Sequence, residues 1–158
     1  MGTRLQKIVG ALLVMCLFSL GGCAEDIGLD QHGQKVPAER LEGQWLVINY
    51  WAEWCGPCRS EIPELNALAK QLDGQSVQVL GVNYDGEQGE VLAKSSEQLG
   101  IAFTVLADDP AARFQLPAAT ALPVTYIVDE QGQVRETLVG EQTAVGLMAR
   151  LTHWQGVN

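Results

Sequence analysis

The run QWLVINYW, residues 44–51, is apolar or aromatic at every position from Trp45 to Trp51 except Asn49. A stretch this short and this apolar suits a strand buried on both faces, in the interior of a sheet. The next residues narrow the choice. Ala52-Glu53-Trp54 turns the chain, and Pro57 suits the first turn of a helix, where its missing N–H has no helical partner to lose. Ile62, Leu65, Leu68, Ala69 and Leu72 then recur at helical spacing until Gly74 closes the segment. Pro63 falls inside this helix and is expected to bend it, because its ring removes a donor and crowds the preceding turn.

Downstream, SVQVLGVNYD (76–85) reads as a second strand and GEVLAKSSEQLG (89–100) as a second helix. FTVLAD is a short extended segment, followed by a helical turn around Ala111 to Phe114. Val124–Asp129 and Val134–Val139 read as antiparallel strands joined by a DEQGQ turn, and Leu147, Met148, Leu151 and Trp154 share one face of a closing helix. Strand, helix, strand, helix, hairpin and helix give an α/β fold: a central mixed sheet flanked by helices on both faces. Residues 24 to about 34 are polar and glycine-bearing, and read as a tether merging into an N-terminal β-hairpin against Lys35-Val36-Pro37.

The N-terminus reads as an export signal. Arg4 and Lys7 precede thirteen residues, Ile8 to Leu20, that are apolar apart from Gly10 and Ser19. This is shorter than the roughly 20 residues a membrane-spanning helix needs. The stretch Leu20-Gly21-Gly22-Cys23 resembles the lipobox of bacterial lipoproteins, which implies cleavage before Cys23 and acylation of its thiol. Two or more acyl chains hold a protein stably to a membrane. The expected division is therefore a signal peptide at 1–22, a lipidated cysteine and tether at 23–34, and one folded domain at 35–158. Ala24 and Glu25 do not resemble an inner-membrane retention signal, which favours the outer membrane for an envelope lipoprotein facing the periplasm.

Without Arg4 and Lys7 the chain has eight basic residues against nineteen acidic ones. Nucleic acid is therefore an unexpected partner. Four cysteines are present, and Cys16 and Cys23 fall to the signal and the lipid. Cys55 and Cys58 remain, too few for a disulfide framework in an exported domain, so their pairing points to chemistry. At a helix N-terminus the free backbone donors and the positive end of the dipole favour a thiolate. Cys55 should attack a substrate disulfide, and Cys58 should resolve the mixed disulfide. Two metal readings compete. Structural zinc wants four ligands, and only His32 and His153 are on offer, far away in sequence. Thiolate pairs also suit Cu(I), so copper binding or delivery through the same pair is the alternative function.

WAEWCGPC resembles the active-site stretch of thioredoxins, and ALPVTYIVDEQGQVRETLVG resembles the second half of that fold, in which a cis-proline loop faces the cysteines. Pro123 matches that proline. With the exported anchor, the lead-in hairpin, CRSEIP and PVTYIVDEQGQV, the chain is most similar to the TlpA and ResA group of membrane-tethered thiol-disulfide oxidoreductases, across about residues 27–151. The resemblance implies a monomer without a cofactor that reduces disulfides of exported proteins and is itself reduced by a membrane electron donor. It counts Pro123 with the two cysteines as catalytic and places a substrate surface at Trp54, Gly56, Pro57, Leu122 and Val124. Where cytosolic thioredoxins carry a buried aspartate this chain has Asn49, and Glu61 matches an acid of the ResA-like members and becomes the candidate base for Cys58. The segment FQLPAATALP makes a longer approach to Pro123 than the group's usual one.

Overall fold

The computed structural model describes residues 26–157. The expected signal peptide and the acylated Cys23 lie outside the described residues. The strands are β1 (Asp26–Leu29), β2 (Lys35–Pro37), β3 (Trp45–Trp51), β4 (Val77–Asn83), β5 (Thr104–Leu106), β6 (Val124–Val128) and β7 (Val134–Val139). The helices are α1 (Gly56–Gln71), α2 (Gly89–Gln98), α3 (Ala111–Phe114) and α4 (Ala144–Gln155). A 3-10 turn at Ala38–Arg40 follows β2.

Five strands form one sheet in the order β5-β4-β3-β6-β7, with β3, β4 and β5 parallel and β6 and β7 antiparallel to their neighbours. The apolar run at 44–51 accordingly becomes the central strand, and all seven residues of β3 are buried. Alternation along β3 divides the core. Trp45 and Val47 face α1 and α4, packing with Leu65, Leu68, Leu147 and Leu151. Leu46, Ile48 and Tyr50 face the opposite side, where Val36 and Leu41 of the N-terminal segment and Phe114 of α3 cover them. One face thus carries long helices, and the other is closed mainly by the hairpin, the 3-10 turn and the short α3.

The expected N-terminal hairpin is present, β1 pairing antiparallel with β2. The residues between them also pack. Gln31 is buried, its side chain donating to the Phe103 carbonyl at 3.0 Å and accepting from the Val105 N–H at 2.8 Å. With Ala107 N–H bonded to the Leu29 carbonyl, this loop occupies the free edge of β5, which would otherwise present an open row of backbone groups. Residues 26–34 are therefore part of the folded body.

α1 runs without interruption from Gly56 to Gln71 with Pro63 inside it. Among the described residues no helix is long and apolar enough to cross a membrane.

Candidate active site

The junction between β3 and α1 positions the cysteines. β3 ends at Trp51, the chain turns through Ala52 to Trp54, and Cys55 is the N-cap of α1. Its sulfur accepts from the Cys58 N–H at 3.2 Å, so one of the helix's free donors is spent on a sulfur atom. Cys55 and Cys58 are joined in a disulfide with their Cα atoms 5.3 Å apart. Cys55 is 4% exposed and Cys58 1%, so both are nearly closed in this oxidised state and Cys55 is the outer of the two.

The floor under the disulfide is apolar: Trp51, Ala52, Leu92 of α2 and Val105 of β5, with Leu122 packed against them. Gly81 makes room for this floor. A Cβ there would stand 3.0 Å from Trp51 Nε1, 3.0 Å from Phe103 Cε2 and 3.1 Å from Val105 Cγ2. The rim is different in character. Trp54 is 64% exposed and its indole N–H donates to Asp85 at 2.8 Å. Arg59 donates to the Glu53 carbonyl at 2.9 Å. These residues border an open groove, lined also by Glu87 and Leu99, of about 450 Å³.

Leu122-Pro123 is cis. Pro123 is buried, and its carbonyl accepts from the Gly140 N–H at 2.9 Å. The fold therefore brings Leu122 to the cysteine cluster from sixty-odd residues away in sequence. Gly56 is half-buried and Pro57 exposed on the first turn of α1. Val124 is 2% exposed and packs with Ile48 and Tyr50 on the other face of the sheet. Its backbone is in register with Tyr50 and with Val139, so the core and the ladder already use it.

Glu61 lies one turn beyond Cys58 on α1, 1% exposed and facing the sheet. Beneath it runs a row of three residues in register across the strands, Gly81, Asn49 and Thr125. Asn49 Nδ2 donates to Glu61 Oε2 at 3.0 Å and to Thr125 Oγ1 at 3.0 Å. The Gln142 N–H donates to Glu61 Oε1 at 3.0 Å. Burial pushes the Glu61 carboxyl up to about 7, and nearby Glu141 adds to the rise, against the lowering effect of the hydrogen bonds from Gln142, Asn49 and Thr125. A second acid of α1, Glu64, accepts from the Ala144 N–H at 2.8 Å, so the loop before α4 is fixed to α1 at two points.

Asn49 was visible in the sequence as the polar break in the central strand. Thr125 and Gln142 were not singled out. Thr125 carries a weak signal, a hydroxyl within the apolar run VTYIV, whereas Gln142 contributes only its backbone N–H and leaves no trace in residue type. Asn49 Oδ1 and Trp51 Nε1 are buried without a hydrogen-bond partner. Among the described residues no group of three or more His, Cys, Asp and Glu is gathered to hold a metal ion.

A five-stranded mixed sheet with a disulfide at the N-terminus of its first long helix and a cis-proline loop beside it defines a thioredoxin-like protein. The chain belongs to the AhpC/TSA family, whose sequence pattern matches residues 20–137. It is similar to the thiol-disulfide oxidoreductase ResA of Bacillus anthracis, with 29% identity over 115 residues, 72% of this chain and 65% of the relative. It thus spans a little under two thirds of that relative's length. Among solved structures it is similar to a DsbF homologue from Corynebacterium diphtheriae, with 25% identity and a TM-score of 0.68, covering 82% of this chain and 85% of the other. It is also similar to a secreted thiol-disulfide isomerase from Corynebacterium glutamicum, with 25% identity and a TM-score of 0.64, covering 80% and 81%.

Proposed function

We propose that this protein is a thiol-disulfide oxidoreductase of the cell envelope that reduces disulfides in other exported proteins. The observation that carries the reading is the Cys55–Cys58 pair capping α1, with Leu122, the residue before cis-Pro123, packed beside it. The relatives described as ResA and as a secreted thiol-disulfide isomerase support exchange chemistry and export.

In the reduced protein Cys55, held at the helix N-terminus, attacks one sulfur of a client disulfide and releases the other as a thiolate. Cys58 then attacks the Cys55 sulfur, the second client thiolate leaves, and the Cys55–Cys58 disulfide forms. The client gains two electrons and this protein loses them. Glu61 takes the Cys58 proton, a role suited to a carboxyl whose burial brings it near neutrality. Leu122, the residue before cis-Pro123, offers backbone to an extended client segment, and Trp54, Gly56 and Pro57 form the rest of the surface. A membrane electron donor returns the pair to the dithiol, and lipid on Cys23 keeps the protein at the membrane, on the outer membrane in preference to the inner. Gly56-Pro57 between the cysteines, with no histidine there, supports the reducing direction.

Two measurements test this. Cys58→Ser protein expressed in cells should accumulate as mixed disulfides through Cys55 with envelope proteins, and their absence overturns the exchange reading. The reduction potential of the pair in defined thiol buffers should fall near that of thioredoxin, about −270 mV, whereas a value near −120 mV would make the protein an oxidant.

A further inference from the structure

Asn49 sits in the middle of the central strand, 1% exposed, where an apolar side chain would satisfy the core. Its amide is oriented by what it faces. Both N–H groups are committed, one to Glu61 and one to Thr125, while Oδ1 is left buried and unpaired. Rotating the amide to find Oδ1 a donor would set that oxygen 3.0 Å from the Glu61 carboxylate, acceptor against acceptor. The carboxylate thus dictates the amide, and a second acid at this position would meet the first in direct contact.

We propose that Asn49 is a positioning residue for Glu61, and that strand position 49 and helix position 61 form one acid–amide pair whose members can exchange places. The hydrogen bonds permit the exchange. With Gln at 61 and Asp at 49, the amide at 61 donates to the carboxylate at 49, and its oxygen still accepts from the Gln142 N–H. The Thr125 hydroxyl, which accepts from Asn49, donates to the new carboxylate instead, since a hydroxyl does both. The groups facing Glu61 are Asn49 on β3, Thr125 on β6 and the Gln142 backbone before α4; Glu141 in the same loop is the charged neighbour, and it is untouched by the exchange. The link from this pair to thiol chemistry rests on the proposed role of Glu61 as base for Cys58.

The test follows the two carboxyls by carbon-13 NMR against pH in the oxidised protein, where no thiol titrates. Wild type should show one raised titration, at residue 61. In Asn49→Asp two carboxyls share one contact, so they should titrate in two coupled steps, with the proton affinity of the upper one increased tenfold or more. The Asn49→Asp, Glu61→Gln protein should return to a single raised step, now at residue 49. An unmoved Glu61 titration in Asn49→Asp, or no raised titration at 49 in the double variant, overturns the pairing. Should Asn49→Asp fail to fold at neutral pH, the double variant, which keeps one acid and joins 61 to 49, 49 to Thr125 and 61 to the Gln142 N–H, should fold; equal instability in both also overturns it. The pH dependence of thiol exchange separates the two readings. If Glu61→Gln leaves that profile unchanged while the carboxyl titrations behave as described, the pair stands and the role of Glu61 as base falls.

Discussion

At the scale of single residues, the chemistry sits where small and polar side chains interrupt an apolar sheet. Gly81 is one such interruption. Its missing side chain lets Trp51 and Phe103 close over the strand below the disulfide, each 3.0 Å from where a Cβ would stand. Gly81→Ala should therefore cost about 1–3 kcal/mol of stability through overpacking, read by urea unfolding. A loss below a few tenths would mean the indole moves aside freely. The cysteines were readable from their spacing together with the residues on both sides, because a turn between a buried strand and an amphipathic helix leaves them one place to be. Glu61 was readable as an acid one turn on from Cys58, but not its setting. Thr125 and Gln142 lie 64 and 81 residues from it in sequence and meet it only because β3 pairs with β6 and the loop before α4 folds back onto α1.

At the scale of elements, local signals located strands and helices well, since each carries its own periodicity and stops. The β6–β7 hairpin shows how one residue fixes a turn. Asp129 Oδ1 accepts from the Gln131 N–H at 2.9 Å and the Gln133 N–H at 2.8 Å, and Oδ2 pairs with Arg135 Nε at 2.5 Å. Gly132 supplies the positive φ that the turn requires. Asp129→Ala should cost about 1–3 kcal/mol by removing the buried acceptor that holds the two turn N–H groups and Arg135, with Asp129→Asn, which keeps an oxygen acceptor, recovering part of it. Thermal unfolding of the two variants checks the order, and equal losses would place the whole effect in the charge. What element-level reading missed is the use of β1 and the following loop as a cover for β5, and the burial of Val124. Both depend on which strand lies at an edge and which face a strand turns inward, and neither is written in the segment itself.

For the whole molecule, burying one carboxyl between α1 and the sheet couples stability to pH. The Glu61 carboxyl has its ordinary value of 4.5 in the unfolded chain and rises to about 7 in the fold, so the native state holds this proton more tightly. Its contribution is fully present below about 4.5 and is lost as pH rises through 7, up to something on the order of 3 kcal/mol. Urea unfolding across this range should show stability falling more steeply with pH in wild type than in Glu61→Gln, and parallel curves would mean the carboxyl is not destabilised by burial. The sequence by itself determined the strand–turn–helix unit, the cysteine pair at its junction and the α/β class, because hydrophobic period and turn chemistry act over a few residues. Only the tertiary structure decided what the acid at 61 touches, which face Val124 serves and what covers β5. Those contacts join strands and loops distant in the chain, and their energies come from burial and hydrogen bonds that exist only once the sheet has closed.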